Sequence, residues 1–338
     1  MKELFIATSY HHVMVAIAKM RQNKSVMDLL ISNFSTGDEY WRLLVPKLIN
    51  SEWFGKVFYF DERKNHPPNP NRIIDTIKYE KFGEKAILQT IDGFNVDSYD
   101  MIYVIDDKMF PASTIIKNRR PFKLLEDTAF TYQNMEKLGT SKIMKLPYKY
   151  ICKLFKILKY WHPVFGYADC CKCIETSSSD GLPEQLPKNK VVVVNRFELI
   201  ESIPNDDKLR LCEIFLKEKE LNALLHANNT VIIMTSLYRR GMQIEDEQIR
   251  ICKKVMQMYE DSNFVIKPHP RDVTDYKKAF PKAIVLNAHF PSELLNYIDG
   301  IMLEDAVSVG STAVNTCKYA KRTHYYTLAD IGEVIPYE

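Results

Sequence analysis

The sequence has few glycines, and this shortage limits the devices with which the chain could bind a nucleotide. Only 11 of its 338 residues are glycine, about 3% against an average of about 7%. Neither GxGxxG nor GxxxxGK[ST] occurs, so the dinucleotide fingerprint and the P-loop are both absent. A nucleotide site in this protein would need another way to hold phosphate.

The sequence also lacks an excess of charge of one sign and a long apolar run. Its 46 Lys and Arg nearly balance 43 Asp and Glu, giving a net charge of +3, so we expect no nucleic-acid partner. No run approaches the 18 apolar residues of a membrane-spanning helix. The N-terminus becomes polar too soon for a signal peptide. We therefore expect a cytoplasmic location.

The cysteines do not suggest a disulfide framework or a metal centre. There are seven, and this odd number, without a secretion signal, indicates reduced thiols. Three of them cluster at 170–173, but no second CxxC and no spaced His pair accompanies the cluster. A metal site there is the alternative, but the pattern favours a loop of free thiols.

Short apolar runs alternate with helical patterns in both halves of the chain, which is typical of βαβ units with parallel sheets. The predicted strands cover residues 4–8, 27–32, 56–60, 101–105, 122–125, 191–195, 231–235, 264–267, 283–287, 300–303 and 324–327. The predicted helices of the second half cover residues 206–225, 245–259, 291–297 and 311–321. The polar, proline-containing stretch 176–187 is the best linker candidate.

This pattern predicts an α/β protein of two Rossmann-like domains that face each other across a cleft. We place the first domain at residues 1–150 and the second at 191–338, with a linker and connecting helix at 151–190. Because ligands of such sheets bind outside the carboxyl ends of the strands, functional residues are expected just after strands.

One predicted strand of the second half runs directly into a histidine between two prolines. The segment is Lys267-Pro268-His269-Pro270-Arg271. Proline fixes its own backbone and favours extended conformations in the residue before it, so the imidazole is rigidly mounted. Lys267 and Arg271 would favour a phosphate nearby. The alternative is a polar turn that carries a surface histidine, but the flanking residues favour a functional role.

A second feature is the run Gly310-Ser311-Thr312, which precedes a helical pattern. Free backbone N–H groups and hydroxyls at a helix N-terminus can bind phosphate without a Gly-rich loop. An ordinary helix cap explains the run equally well.

The third feature is Glu293, two residues after Pro291. It lies in the first turn of a predicted helix, where the helix dipole favours a carboxylate in any case. The functional alternative is a carboxylate that accepts hydrogen bonds from ribose hydroxyls.

Together, His269-Pro270, Pro291-x-Glu293 and Ser311-Thr312 resemble the motifs of bacterial sialyltransferases. The closest resemblance is to the lipooligosaccharide and capsule sialyltransferases, glycosyltransferase family 52, whose fold is GT-B. In that family the HP motif and the Ser/Thr pair bind the CMP of CMP-sialic acid, and the P-x-E glutamate binds its ribose. The turn after the first strand, residues 8–12, is also similar.

The same family carries two acidic residues followed by glycine near the end of its first domain. The best match here is Glu126-Asp127, although Thr128 stands in place of the glycine. The resemblance implies that Asp127 is the general base, with Glu126 as the alternative. Another acidic run, residues 245–247, is better interpreted as the first turn of a helix.

The resemblance implies direct, inverting transfer of sialic acid from CMP-sialic acid, without a metal or other cofactor, to a glycan hydroxyl such as that of galactose. His269 would donate a hydrogen bond or a proton to the leaving phosphate, with Lys267, Pro270 and Arg271 around it. The cap residues, Gly310, Ser311 and Thr312, would hold that phosphate, and Tyr10 and His11 would lie on the acceptor side. A helix-start loop explains Tyr10 and His11 equally well.

Residues 147–167 mix lysines with aromatic residues at helical spacing. Such a segment can lie on an anionic membrane surface, or it can be an interdomain helix with snorkelling lysines. A lipid-linked acceptor, peripheral contact with the inner face of the cell membrane and a homodimer are further expectations. The competing functions are another GT-B transferase with a different CMP-, CDP- or UDP-linked donor, and a non-catalytic GT-B-like binding protein.

Overall fold

The computed structural model of the chain describes residues 1–33, 38–61, 91–105, 115, 118–127, 132, 166, 168–183, 186–236 and 245–332, with the side chains at 38, 39 and 312 left out of the description. These residues form two compact units, Met1–Ile203 and Pro204–Glu338. Each unit is built on its own parallel sheet.

The first sheet has seven parallel strands in the spatial order β3-β2-β1-β4-β5-β6-β7. Two of them, β1 and β2, are buried at every residue, because both faces of a parallel sheet are covered. Apart from Glu3, Asp28 and Ser32, their residues are apolar, which is why the sequence predicted both strands well. The strands are β1 (Glu3–Ala7), β2 (Met27–Ser32), β3 (Val57–Phe60), β4 (Met101–Val104), β5 (Phe122–Leu125), β6 (Cys171–Thr176) and β7 (Val191–Val193).

Three α-helices are described in the first unit: α1 (Tyr10–Asn23), α2 (Asp38–Asn50) and α3 (Arg196–Glu201). Helix α1 is buried without interruption over residues 12–20, so it is a central helix of the unit. It begins three residues after β1 ends, which places its N-terminus at the carboxyl edge of the sheet.

The second sheet has five parallel strands in the order β10-β9-β8-β11-β12. The strands are β8 (Thr230–Met234), β9 (Asn263–Lys267), β10 (Ile284–Val285), β11 (Leu303–Val309) and β12 (Ala320–Tyr326). The α-helices described in this unit are α4 (Asn205–Phe215), α5 (Glu218–Leu225), α6 (Glu245–Met258) and α7 (Tyr276–Ala279). Two 3₁₀ helices, Ser292–Tyr297 and Thr312–Thr316, follow strands of this sheet.

The structure divides the chain later than the sequence pattern predicts. The cysteine cluster lies largely in β6 rather than in a loop, and β7 belongs to the first sheet, paired with β6. The compact units therefore separate between Ile203 and Pro204, not near residue 190. Strand β6 was missed because its exposed Lys172 and its short polar side chains interrupt the apolar pattern.

Several elements of the second unit also differ from the predictions. The strand expected at 300–303 runs instead from Leu303 to Val309, and the helix expected at 311–321 is a five-residue 3₁₀ helix followed by β12. The helix expected at 206–225 ends at Phe215 and restarts at Glu218. The interruption coincides with extended backbone at Leu216 and Lys217.

Residues 147–167, the predicted membrane-surface segment, lie outside the described residues except Gly166. Among the helices that the structure describes, none is long and apolar enough to cross a membrane.

Candidate active site

The carboxyl edge of the first sheet brings together a histidine and an aspartate that are 115 residues apart in sequence. His12 lies in the first turn of α1, and Asp127 follows β5 by two residues. Their side chains are hydrogen-bonded, with 2.7 Å between His12 Nε2 and Asp127 Oδ1. The imidazole is 2% exposed and the carboxylate 56% exposed, so the aspartate is the member of the pair that faces solvent.

The partners of the other imidazole nitrogen determine the tautomer of His12. Its Nδ1 accepts the backbone N–H of Thr8 at 3.1 Å and that of Ser9 at 3.2 Å. An imidazole nitrogen that accepts N–H bonds carries no proton, so the proton is on Nε2 and is donated to Asp127. The histidine therefore caps the N-terminus of α1 and orients the aspartate at the same time.

Two histidines and an arginine lie around the Asp127 carboxylate. Desolvation alone would raise the pKa of Asp127, but the hydrogen bond from His12 and the nearby His11 and Arg196 outweigh it and hold that pKa below its ordinary value. Asp127 is consequently an ionised carboxylate at neutral pH. It therefore carries the negative charge that a proton acceptor needs, although its lowered pKa makes it a weaker base.

Glu126, the adjacent acid, has a different environment. It is 1% exposed, and its Oε2 accepts the backbone N–H of Ser177 at 2.6 Å. Its backbone carbonyl accepts a hydrogen bond from the buried Arg196 guanidinium at 2.9 Å. These contacts place Glu126 inside the fold, where its carboxylate joins β5 to the end of β6.

Tyr10 and His11, predicted on the acceptor side, separate in the structure. Tyr10 is 2% exposed, and its ring lies 4.5 Å from that of Trp41 and 5.3 Å from that of Tyr40. The tyrosine is thus a core residue, which contradicts the expectation of an exposed acceptor contact. His11 is half-buried and lies close enough to lower the pKa of Asp127.

In the second unit, three neighbouring strands end at the same level. The pairing of Lys267 with Met234, and of Met234 with Ser308, aligns the carboxyl ends of β9, β8 and β11. The residues that follow are connected by hydrogen bonds: the His269 backbone N–H donates to Thr235 Oγ1 at 2.9 Å. The Ser236 hydroxyl is 3.5 Å from the Gly310 carbonyl oxygen. The predicted HP turn and Gly-Ser turn are therefore parts of one edge.

The imidazole of His269 is fixed by a hydrogen bond at Nδ1, which leaves its Nε2–H as a donor. Its Nδ1 accepts the Arg271 backbone N–H at 3.1 Å, which leaves the proton on Nε2. Burial, with Arg271 and Lys267 nearby, lowers the pKa of His269 to about 4. The imidazole is therefore neutral at pH 7, and among the described residues nothing accepts its Nε2–H. A donor of this kind can bind an anionic oxygen.

Thr235 and Asp272 hold the HP turn in place, and neither was among the predicted site residues. The Thr235 hydroxyl donates to Asp272 Oδ2 at 3.0 Å while accepting from the His269 backbone. The Tyr276 hydroxyl donates to the same Oδ2 at 2.6 Å. Thr235 could have been proposed from the sequence, because it is a threonine at the carboxyl end of a predicted strand. No pattern in the sequence indicated Asp272, which lies 37 residues further along the chain.

Lys267 does not lie on the solvent side of this edge. It is 5% exposed, and its Nζ donates to the carbonyl oxygens of Pro268 at 3.0 Å and Ala288 at 2.9 Å. Burial lowers its pKa to about 7, an effect that Glu293 and Glu220 partly oppose. Lys267 therefore links two backbone segments through its amine, instead of pointing toward a phosphate as predicted. Arg271 is exposed and Pro270 is half-buried.

The Gly-Ser turn has the backbone that its sequence suggests. Gly310 has a φ of +71°, a left-handed conformation that glycine adopts without steric cost. Ser311 accepts the Ala313 backbone N–H at 3.3 Å, and the buried Ser308 hydroxyl donates to the Ser311 carbonyl. The predicted role of the Thr312 side chain lies outside the description.

Glu293 lies in the 3₁₀ helix Ser292–Tyr297 and is partly exposed. Its charge acts on the buried amine of Lys267 and raises that pKa against the effect of burial. The predicted ribose carboxylate and the HP strand are therefore close neighbours.

Comparison with known proteins gives the family. The model of glycosyltransferase family 52 matches residues 72–324, which is well over half of the chain. The chain belongs to glycosyltransferase family 52. An uncharacterized protein of Haemophilus influenzae is 27% identical over 188 residues, which are 54% of this chain. The chain covers 59% of the length of that relative.

Solved structures similar to this family 52 chain include UDP-GlcNAc 2-epimerases. The Methanocaldococcus jannaschii enzyme has a TM-score of 0.53 at 12% identity, covering 98% of this chain and 84% of its own. The Neisseria meningitidis enzyme has a TM-score of 0.50 at 12% identity, covering 93% and 79%. At such identities the likeness concerns the fold alone, and it confirms the predicted GT-B class.

Proposed function

We propose that this family 52 protein is an inverting sialyltransferase. It moves sialic acid from CMP-sialic acid to a terminal sugar hydroxyl, such as that of galactose, on a bacterial lipooligosaccharide or capsule. A lipid-linked acceptor is part of the proposal. The single observation that carries it is the neutral, rigidly held His269, whose Nε2–H has no acceptor among the described residues.

The leaving group of this reaction is a nucleoside monophosphate, so negative charge develops on one phosphate as the bond to the sugar breaks. A preorganised donor aimed at that charge lowers the barrier. His269 supplies such a donor. Because its pKa is lowered to about 4, it gives the phosphate a hydrogen bond, and the free protein does not hold a second proton to transfer. The Gly310 N–H donates to the Tyr326 carbonyl oxygen at 2.9 Å, and the left-handed turn there leads into the short helix that begins after Ser311 at the same sheet edge.

The acceptor hydroxyl must lose a proton as it attacks the anomeric carbon. We assign that proton to Asp127, whose carboxylate is ionised and more than half exposed. Glu126, the alternative base, is 1% exposed, and its two oxygens accept the backbone N–H groups of Ser177 and Tyr132. The bond from the anomeric carbon to the phosphate oxygen breaks, a bond to the acceptor oxygen forms, and the configuration inverts.

Glu293 is assigned to the ribose of the donor. Its 3₁₀ helix follows β10, and its charge is felt by Lys267 at the end of β9. A carboxylate in this position can accept hydrogen bonds from ribose hydroxyls, as acidic residues do in other nucleotide sites.

The proposal is tested by a donor screen with two matched histidine variants. We expect release of CMP from CMP-sialic acid when a galactose-terminated acceptor is present, and no comparable turnover of UDP-GlcNAc or a CDP-linked polyol. His269→Ala should reduce kcat by about 10²–10³-fold. His226→Ala, which changes an exposed histidine of the same unit, should leave it unchanged.

Preference for another donor would replace the sialyl assignment by a different GT-B transfer. If no donor is turned over while CMP still binds, the protein is a binding protein rather than a transferase.

A further inference from the structure

We infer that His12 is a positioning residue for Asp127: its Nε2–H holds one carboxylate oxygen, so that the second oxygen is presented to the acceptor hydroxyl. This inference rests on the proposed role of Asp127 as the base. The inference is based on the short hydrogen bond between the side chain of His12, at the start of α1, and that of Asp127, just after β5.

The backbone around His12 determines which way its proton points. Two amides at the start of α1, those of Thr8 and Ser9, both donate to Nδ1, and the Thr8 hydroxyl oxygen lies 3.2 Å from the same nitrogen. Protonation of Nδ1 would replace these bonds by repulsion between donors. The imidazole is thereby locked as a donor to Asp127 and cannot itself take the proton of an acceptor.

The difference in burial between His12 and Asp127 indicates which of the two can contact a substrate. His12 is 2% exposed, so it has no surface on which a substrate could bind, whereas Asp127 is 56% exposed. The histidine is thus on the buried side of the pair and the carboxylate on the solvent side. A group that acts through another in this way contributes by orientation, and misplacement of the reacting group by about 1 Å can cost on the order of 10²-fold in rate.

Other charges also act on Asp127. His11 of α1 and Arg196 of α3 lower its pKa together with His12. On its own segment, Glu126 is turned to the backbone of Ser177. Deeper in the fold, Glu175 of β6 is paired at 2.6 Å with Lys19 of α1. His12 makes a hydrogen bond to the carboxylate at 2.7 Å, so its removal should affect the orientation of Asp127 as well as its pKa.

The test compares His12→Leu, His12→Gln and Asp127→Asn in the full chain. Glutamine can place an N–H close to the position of Nε2, whereas leucine cannot. We expect His12→Leu to lower kcat by about 10²-fold with the donor KM within twofold of wild type, and to shift the acidic limb of the kcat profile to higher pH. His12→Gln should recover most of kcat. Asp127→Asn should reduce transfer by about 10²–10⁴-fold.

A spectroscopic measurement makes the result independent of catalysis. With ¹⁵N-labelled histidine, wild type should show the proton of His12 on Nε2. A ¹³C-carboxyl titration should give Asp127 a higher pKa in His12→Leu than in wild type. Thermal melting of each variant identifies losses of activity that come from unfolding.

The outcomes separate the two proposals. If Asp127→Asn transfers as well as wild type, Asp127 is not the base and the proposed mechanism fails. If Asp127→Asn is inactive while folded His12→Leu keeps the wild-type kcat, pH profile and Asp127 titration, His12 has no positioning role and only this inference is overturned. A proton on Nδ1 of His12 in wild type would overturn it as well.

Discussion

The two units place a histidine at the carboxyl edge of a parallel sheet, and they use it in opposite ways. In the first unit, buried His12 points its proton at an exposed carboxylate. In the second, His269 keeps its Nε2–H without a partner among the described residues and is supported from behind by Thr235 and Asp272. One edge thus presents a negative group, and the other presents a neutral donor. The residue type alone does not determine the chemistry, because the partner of each nitrogen decides it.

The largest expected effect comes from removing the presented group of each edge separately. Asp127→Asn should reduce transfer by about 10²–10⁴-fold and leave the affinity for CMP unchanged, since no phosphate role is assigned to the first unit. His269→Ala should lower both the rate of transfer and the affinity for CMP. Steady-state kinetics and calorimetric titration with CMP measure the two quantities. Loss of CMP affinity in Asp127→Asn would contradict this division of roles.

A smaller effect is expected from the support of the HP turn. Thr235→Val removes a hydroxyl that serves Asp272 and the His269 backbone, so the free energy of unfolding should fall by about 1–3 kcal/mol and CMP should bind more weakly. Thr230→Val is the matched control, since it removes a buried hydroxyl that donates to Asn228 at the amino end of the same strand.

Denaturant unfolding and CMP titration of both variants distinguish support of the site from general packing. Equal losses of CMP affinity in the two variants would show that Thr235 has no special connection with the site.

A further effect concerns the pH dependence of stability and comes from the buried amine of Lys267. Its pKa is lowered from 10.5 to about 7 in the folded protein, so between pH 7 and 10 the unfolded chain binds more protons than the folded one. The unfolding free energy of wild type should therefore rise relative to that of Lys267→Met as pH increases through this window, by about 1 kcal/mol per pH unit.

Lys254→Met is a suitable control for that experiment. Its amine also donates to two backbone carbonyls, those of Ile331 and Gly332, but it is partly exposed. Urea unfolding at several pH values should give a slope for Lys267→Met that Lys254→Met does not show. Equal slopes would attribute the effect to the lost carbonyl bonds rather than to the titration.

The sequence predicted elements well where the structure buries both faces of a strand. The strands β1, β2 and β5 were recognised because central parallel strands are mostly apolar and do not alternate regularly between apolar and polar residues. Strand β6, with exposed Lys172 between two cysteines, had no such run and was missed. Strand β11 was placed too early, because its serine and aspartate resemble the residues of a turn.

The candidate site was predicted in part. The proline-braced His269 follows a strand, as expected, and the run that begins at Gly310 follows β11 and leads into a short helix. Lys267, in contrast, was expected near phosphate and is instead bound to backbone carbonyls. A long flexible side chain at a strand end can turn either way, and only the surrounding packing decides which.

By itself the sequence excluded a Gly-rich phosphate loop, since it has 11 glycines and no Gly-rich motif, and it favoured the proline-flanked histidine turn and the Gly-Ser turn as the candidates. Local rules are enough for this, since proline and glycine act on their own backbone. Only the tertiary structure decided which of two adjacent acids faces solvent. Glu126 and Asp127 are neighbours in sequence, but the Ser177 amide binds one and His12 the other. Those partners come from distant parts of the chain, so no local pattern could reveal them.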